Sequence, residues 1–132
     1  MNNNKSLTTE ETFNLAVKNH QEGKTNIAQK LYNQILEIDP NHSQAHNNLG
    51  AIFQRLGENQ KAKEYYGKAI AINPNYADAH YNLGNIFKEL GENEKAKDCF
   101  EKAIEINPNY VDALNNLGNI FKKFGEIYKF EL

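Results

Sequence analysis

A fixed step of 34 residues runs through this chain and restricts its fold more than any other property of the sequence. The prolines stand at Pro40, Pro74 and Pro108, each 34 from the next. Gly23, Gly57, Gly91 and Gly125 keep the same step, and so do Gly50, Gly84 and Gly118, whose counterpart in the first unit is Ala16. Leu15, Leu49, Leu83 and Leu117 form a further series, Ala28, Ala62 and Ala96 another, and Tyr32, Tyr66 and Phe100 a third. A period of this length marks an array of stacked units, each burying its apolar face against its neighbours.

Each unit reads as two antiparallel helices. In residues 43–56, Ala45, His46, Leu49, Gly50, Ile52, Phe53 and Leu56 recur at helical spacing and define one apolar face. Gly57 is placed to end that helix in the left-handed conformation glycine adopts at no steric cost. A second helix follows, with Asn59 expected as its cap and Ala62, Tyr65, Tyr66, Ala69, Ile70 and Ile72 as its buried stripe, up to the stop at Asn73-Pro74. Thr25 and Asn93 occupy the equivalent cap positions. A glycine inside a helix costs up to ~1 kcal/mol, so the Ala16, Gly50, Gly84, Gly118 series predicts a close approach of a neighbouring helix.

These residues carry a resemblance to the tetratricopeptide repeat family. The motif runs Ala45, His46, Leu49-Gly50, Phe53, Gly57, Ala62, Tyr66, Ala69, Pro74, then again Ala79, His80, Leu83-Gly84, Phe87, Gly91, Ala96, Phe100, Ala103, Pro108. Residues 9–42 follow it more loosely, with Asn19 where Phe53 and Phe87 stand. The resemblance implies an all-α fold, an α-solenoid of helix pairs wound into a right-handed superhelix. It divides the chain into a disordered tail at 1–8, a divergent first repeat at 9–42, repeats at 43–76 and 77–110, and a partial fourth over 111–132.

In that last segment Ala113, Leu114, Leu117-Gly118, Phe121 and Gly125 repeat the first helix of a unit, and no second helix follows. Ile127 and Phe130 replace the expected polar cap and small alanine. Helix 111–124 is therefore read as a terminal helix, or as the start of something larger. Ile120, Phe121, Phe124, Ile127, Tyr128, Phe130 and Leu132 are many large apolar side chains for such an end, and they predict self-association there.

The candidate site is a row of amides. Asn14, Asn48, Asn82 and Asn116 are 34 apart, each directly before the packed leucine. A carboxamide offers donors and an acceptor together, so a row of them can pair with the main chain of an extended peptide without reading its side chains; bonding within the solenoid is the competing role. The row resembles the asparagine ladder on the concave face of the superhelical tetratricopeptide domains of O-linked N-acetylglucosamine transferases. Around it the groove is expected to present Asn47, Tyr81 and Asn115, then Asn85 and Asn119, then Gln54, Lys88 and Lys122, then Arg55 and Lys123. The two-carboxylate clamp of chaperone-binding family members is not matched. Its positions fall on Phe13, Val17, Asn48, Asp78 and Asn82, or on Asn47, Ala51, Asn82, Asp112 and Asn116, with acids where lysine is needed.

Chemistry is harder to find. Cys99 is the only cysteine, lies between Asp98 and Phe100, and is read as a buried structural thiol. His46 and His80 occupy the family's bulky packing slot; His42 and His46 have metal-pair spacing, but His42 falls in a loop and no acid completes the set. No catalytic constellation, metal or cofactor is expected. A net charge of −2 lacks the basic field that draws nucleic acid, and no stretch approaches a membrane span, so a soluble, cytoplasmic protein is expected. The reading is a non-enzymatic module holding an extended protein segment. Its alternatives are the substrate-recruiting part of a glycosyltransferase- or sulfotransferase-type enzyme, and a self-associating scaffold.

Overall fold

The computed structural model describes residues 6–131, with side chains through Glu126, and within them it contains helices and no strand. Seven helices follow one another: α1 (Thr9–Gln21), α2 (Thr25–Ile38), α3 (Ser43–Arg55), α4 (Asn59–Ile72), α5 (Ala77–Glu89), α6 (Asn93–Ile106) and α7 (Val111–Glu131). They pair as α1 with α2, α3 with α4 and α5 with α6, and each pair stacks on the next to form an all-α solenoid. Of the tail expected at 1–8, residues 1–5 lie outside the described residues; Thr8 caps α1 in a reciprocal capping box with Glu11.

The turns within the pairs are set by glycine. Gly23, Gly57 and Gly91 have φ near +78°, +79° and +77°, the left-handed region where a side chain would be strained. After each, the next amide reaches back to the helix it has left, as when Glu58 N–H bonds Phe53 O at 2.9 Å while Gly57 N–H bonds Gln54 O at 3.0 Å. This double closure satisfies carbonyls the helix end would otherwise orphan. The turns between pairs close on an acid or amide instead. Asp39, Asn73 and Asn107 each accept, at 3.2 Å, the N–H two residues on.

Two expectations about helix ends fail. Thr25, Asn59 and Asn93 are first helical residues, not caps; the capping positions hold Lys24, Glu58 and Glu92, with no side-chain cap bond. The glycine turn already fixes the entry of these helices, which leaves no need for a side-chain cap. Nor does Gly125 end a helix: α7 runs through it to Glu131. At the other glycines a following helix packs back and rewards the reversal. At Gly125 the backbone stays helical at the cost of glycine's modest propensity deficit.

The core alternates small and large. Ala28, Ala62, Ala96, Ala69 and Ala103 are fully buried, as are Tyr32, Tyr66 and Phe100, which fill the space between the helices of each pair. A methyl on Gly50 would stand 2.7 Å from the Tyr66 ring, and one on Gly84 2.7 Å from the Phe100 ring. The mid-helix glycines are thus sockets for the aromatic side chain of the partner helix. At Gly118, among the described residues, nothing lies within 4 Å of such a methyl.

Candidate functional site

The helices α1, α3, α5 and α7 each contribute one residue of the amide row. Asn48 donates from Nδ2 to the Tyr32 hydroxyl at 3.2 Å, and Asn47 donates to Asn48 Oδ1 at 3.4 Å. Asn82 in turn donates to Asn47 Oδ1 at 3.1 Å, and the Tyr32 hydroxyl lies 3.4 Å from His20 Nδ1. One hydrogen-bonded string therefore crosses from α5 through α3 and α2 to α1. A second link joins α7 to α5, where Asn116 donates to Asn85 Oδ1 at 3.0 Å.

The row is thus partly spent inside the solenoid. A carboxamide has two N–H donors and an oxygen. Asn82 and Asn116 commit one N–H each, and among the described residues their oxygens accept nothing. Asn48 is more occupied, since its oxygen takes the Asn47 amide. Asn14 is exposed beside Leu7, Glu11, Leu15 and Lys18 and makes no such link.

The surrounding residues divide. Asn115, Asn119, Lys122 and Arg55 are exposed, Asn85 and Lys88 half-buried, and Asn47 is buried. Tyr81 packs inward, its ring 5.0 Å from Tyr110 and 5.8 Å from Phe100, and Gln54 accepts the Tyr66 hydroxyl at 2.7 Å. Burial pushes the Tyr32 phenol above its ordinary range against the pull of its Asn48 bond, so it stays a neutral bridging group. Burial first and the Arg55 charge second lower the pKa of His20, which favours the neutral ring as Tyr32's neighbour.

The histidines of the packing slot have a shared task that residue type alone did not reveal. His46 Nε2 meets Pro40 O at 2.8 Å and His80 Nε2 meets Pro74 O at 2.9 Å, pinning the first two inter-repeat turns to the helix that follows each. His42, expected as a loop residue, caps α3 by accepting Ala45 N–H on Nδ1 at 3.1 Å. The Tyr110 hydroxyl donates to Asp78 Oδ1 at 2.6 Å, which occupies one of the acids standing where the carboxylate clamp needs lysine. Cys99 is half-buried, and burial, with the Asp98 charge beside it, raises its thiol to about 11. Among the described residues no group of three or more His, Cys, Asp or Glu side chains is gathered as a metal site, and no helix is long and apolar enough to cross a membrane.

Comparison with known proteins matches this geometry to its relatives. Family models described as tetratricopeptide repeat match residues 43–76 and 77–110, and a further one matches residues 99–129. No curated protein matches the chain by sequence. The solved structure of MamA superposes with a TM-score of 0.81 at 30% identity, over 89% of this chain and 69% of that one. The first such domain of Spaghetti (RPAP3), solved with the HSP90 peptide SRMEEVD, gives 0.82 at 25% identity, over 89% of this chain and 93% of that one. An O-GlcNAc transferase mutant of Thermobaculum terrenum gives 0.78 at 25% identity; the match spans 88% of this chain and only 23% of that protein.

Proposed function

The chain belongs to the tetratricopeptide repeat family, and on that premise we propose that it is a protein-interaction module holding an extended peptide along its amide row. The observation that carries the reading is the free half of the row. Asn82 and Asn116 each keep an unengaged oxygen and a second N–H on consecutive repeats, and their internal bonds hold the amides in place. A donor and an acceptor on one rigid group suit the N–H and C=O of a single extended residue. The peptide-bound Spaghetti structure supports the class of ligand. It does not extend to the acidic peptide end, because Asp78 is engaged by Tyr110 and puts negative charge where such an end would lie.

Asn14, Asn48, Asn82 and Asn116 would contact main chain, with Asn47 and Asn85 as the supports behind them. Asn115, Asn119, Arg55, Lys88 and Lys122 would meet side chains at the rim, and Tyr81 contributes packing. A displayed random-peptide library selects binders, and the best of them is then N-methylated one residue at a time. Main-chain recognition predicts that methylation at alternate positions abolishes binding while most side-chain changes are tolerated; the opposite pattern would refute it.

A second reading draws on the likeness to the O-GlcNAc transferase, in which the matched region is a minor part of a larger protein. The chain would then present substrate segments to a glycosyltransferase or sulfotransferase. The coding sequence beyond Leu132 tests this by the presence or absence of a catalytic domain.

A further inference from the structure

The amide row runs between two edges of opposite charge. Glu10, Gln44, Asp78 and Asp112 follow the repeat step through the first turns of α1, α3, α5 and α7, and all four are exposed. About three turns further along the same helices stand Arg55, Lys88, Lys122 and Lys123, with Glu89 as the one acid among them. The helices are held side by side in one direction. At their starts the His42 ring lies 5.0 Å from Phe13 and the Tyr110 ring 5.0 Å from Tyr81, and near their ends Asn59 Nδ2 reaches Glu89 Oε2 at 3.4 Å. The acids therefore line one side of the groove and the bases the other. Three turns set the edges about 16 Å apart, beyond the screening length of about 8 Å at physiological ionic strength, so neither edge cancels the other.

Two observations set these charges apart from an ordinary solvated surface. On the outer helices lysines pair with acids of their own helix or its cap, as in Lys95 with Glu92, Lys97 with Glu101 and Lys102 with Glu105. Among the described residues Asp78, Asp112, Arg55, Lys88 and Lys122 make no salt bridge. Nor does the helix dipole account for the sorting, since it would ask the same of every helix. Helices α2, α4 and α6 carry no base in their last turns, and only α6 has an acid, Glu94, in its first. The polarity belongs to the helices that bear the amide row.

Successive side chains of an extended segment point to opposite sides, and its N–H and C=O groups lie at right angles to them. A segment whose main chain faces the amides thus sends its side chains alternately to the two edges. We propose that the groove selects an extended segment of alternating charge, with basic side chains toward Asp78 and Asp112 and acidic ones toward Arg55, Lys88 and Lys122. This rests on main-chain recognition by the amide row and adds the side-chain pattern that such recognition leaves open.

End-capped, fluorescein-labelled (Lys-Glu)6 and (Lys-Lys-Glu-Glu)3 share composition and net charge, and fluorescence anisotropy compares them on the full chain. In both, residues four apart carry like charge, which disfavours a helix; only the first sorts its charges to two sides. It should bind about tenfold tighter, a preference that 1 M NaCl erases. (Glu-Ser)6 and (Lys-Ser)6 then address one edge each. Lys88→Glu with Lys122→Glu should lose the first and keep the second, Asp112→Lys should do the reverse, and circular dichroism should show unchanged helicity. Equal binding of the two patterns, no binding of either at 200 µM, or charge reversals that shift both half-charged peptides alike would overturn the proposal. N-methylation of alternate residues in (Lys-Glu)6 tells that failure from failure of main-chain recognition. Binding lost on methylation with no pattern preference leaves the main-chain contact standing and removes only the charge pattern. A preference that survives methylation removes the main-chain contact, and this proposal with it.

Discussion

Gly84→Ala and Gly118→Ala make the same chemical change at equivalent positions of two repeats, and the structure predicts opposite outcomes. In either helix alanine restores up to ~1 kcal/mol of propensity. At Gly118 that gain stands alone, because a methyl there meets nothing within 4 Å. At Gly84 the methyl falls 2.7, 2.9 and 3.1 Å from three carbons of the Phe100 ring, closer than van der Waals contact permits. The ring is fully buried with Tyr81 against it, so relief requires shifting α6 relative to α5, an overpacking cost of about 1–3 kcal/mol. The two variants should therefore differ by about 2 kcal/mol, with Gly118→Ala more stable than wild type and Gly84→Ala less stable. For a domain of this size that is about 8 °C in melting temperature. Urea and thermal unfolding, followed by circular dichroism, measure it. Adding Phe100→Leu should lessen the penalty of Gly84→Ala. Equal stabilisation of both alanine variants would mean that the ring does not occupy the glycine socket.

Asn82→Ala should weaken a selected peptide by about 1 kcal/mol, and it should also cost about 1 kcal/mol of stability, because it strips the donor from the buried Asn47 oxygen; isothermal titration and urea unfolding read the two effects separately. Asn14→Ala, which breaks no internal bond, should affect binding alone. With its thiol near 11 against an unperturbed 9.0, Cys99 should react with iodoacetamide at neutral pH about 100-fold more slowly in the folded than in the urea-unfolded chain, a ratio that mass spectrometry follows directly. His20 has its folded pKa below the unfolded 6.5, so the unfolded state binds the proton first; stability should fall as pH drops below 6.5, and His20→Gln should flatten that slope in urea titrations.

The repeat was legible because three independent physical needs recur at one step: a left-handed glycine, a socket glycine and a proline stop. Gly23, Gly57 and Gly91 have the positive φ their positions foretold, and Gly50 and Gly84 the close neighbour. What the pattern could not carry was anything depending on the partner of a residue. Gly125 has the same position in its repeat as Gly91 and yet stays helical. Asn59 and Asn93 are good capping types in glycine-led turns that need no cap. The amides of the row were placed by register, yet their links to Tyr32, Asn47 and Asn85 join helices far apart in sequence. Phe121 and Phe124 are both phenylalanines on one helix, and only contacts tell the open one from the packed one.

If the amide row touches the ligand's main chain as proposed, the side-chain NH2 resonances of asparagine report on it directly. In a 15N-labelled chain titrated with a library-selected peptide, the Nδ2 signals of Asn48, Asn82 and Asn116 should move together and saturate with the binding isotherm, while those of Asn33 and Asn75, which lie outside the row, stay in place. Saturable binding that leaves the three row amides unmoved would contradict the account.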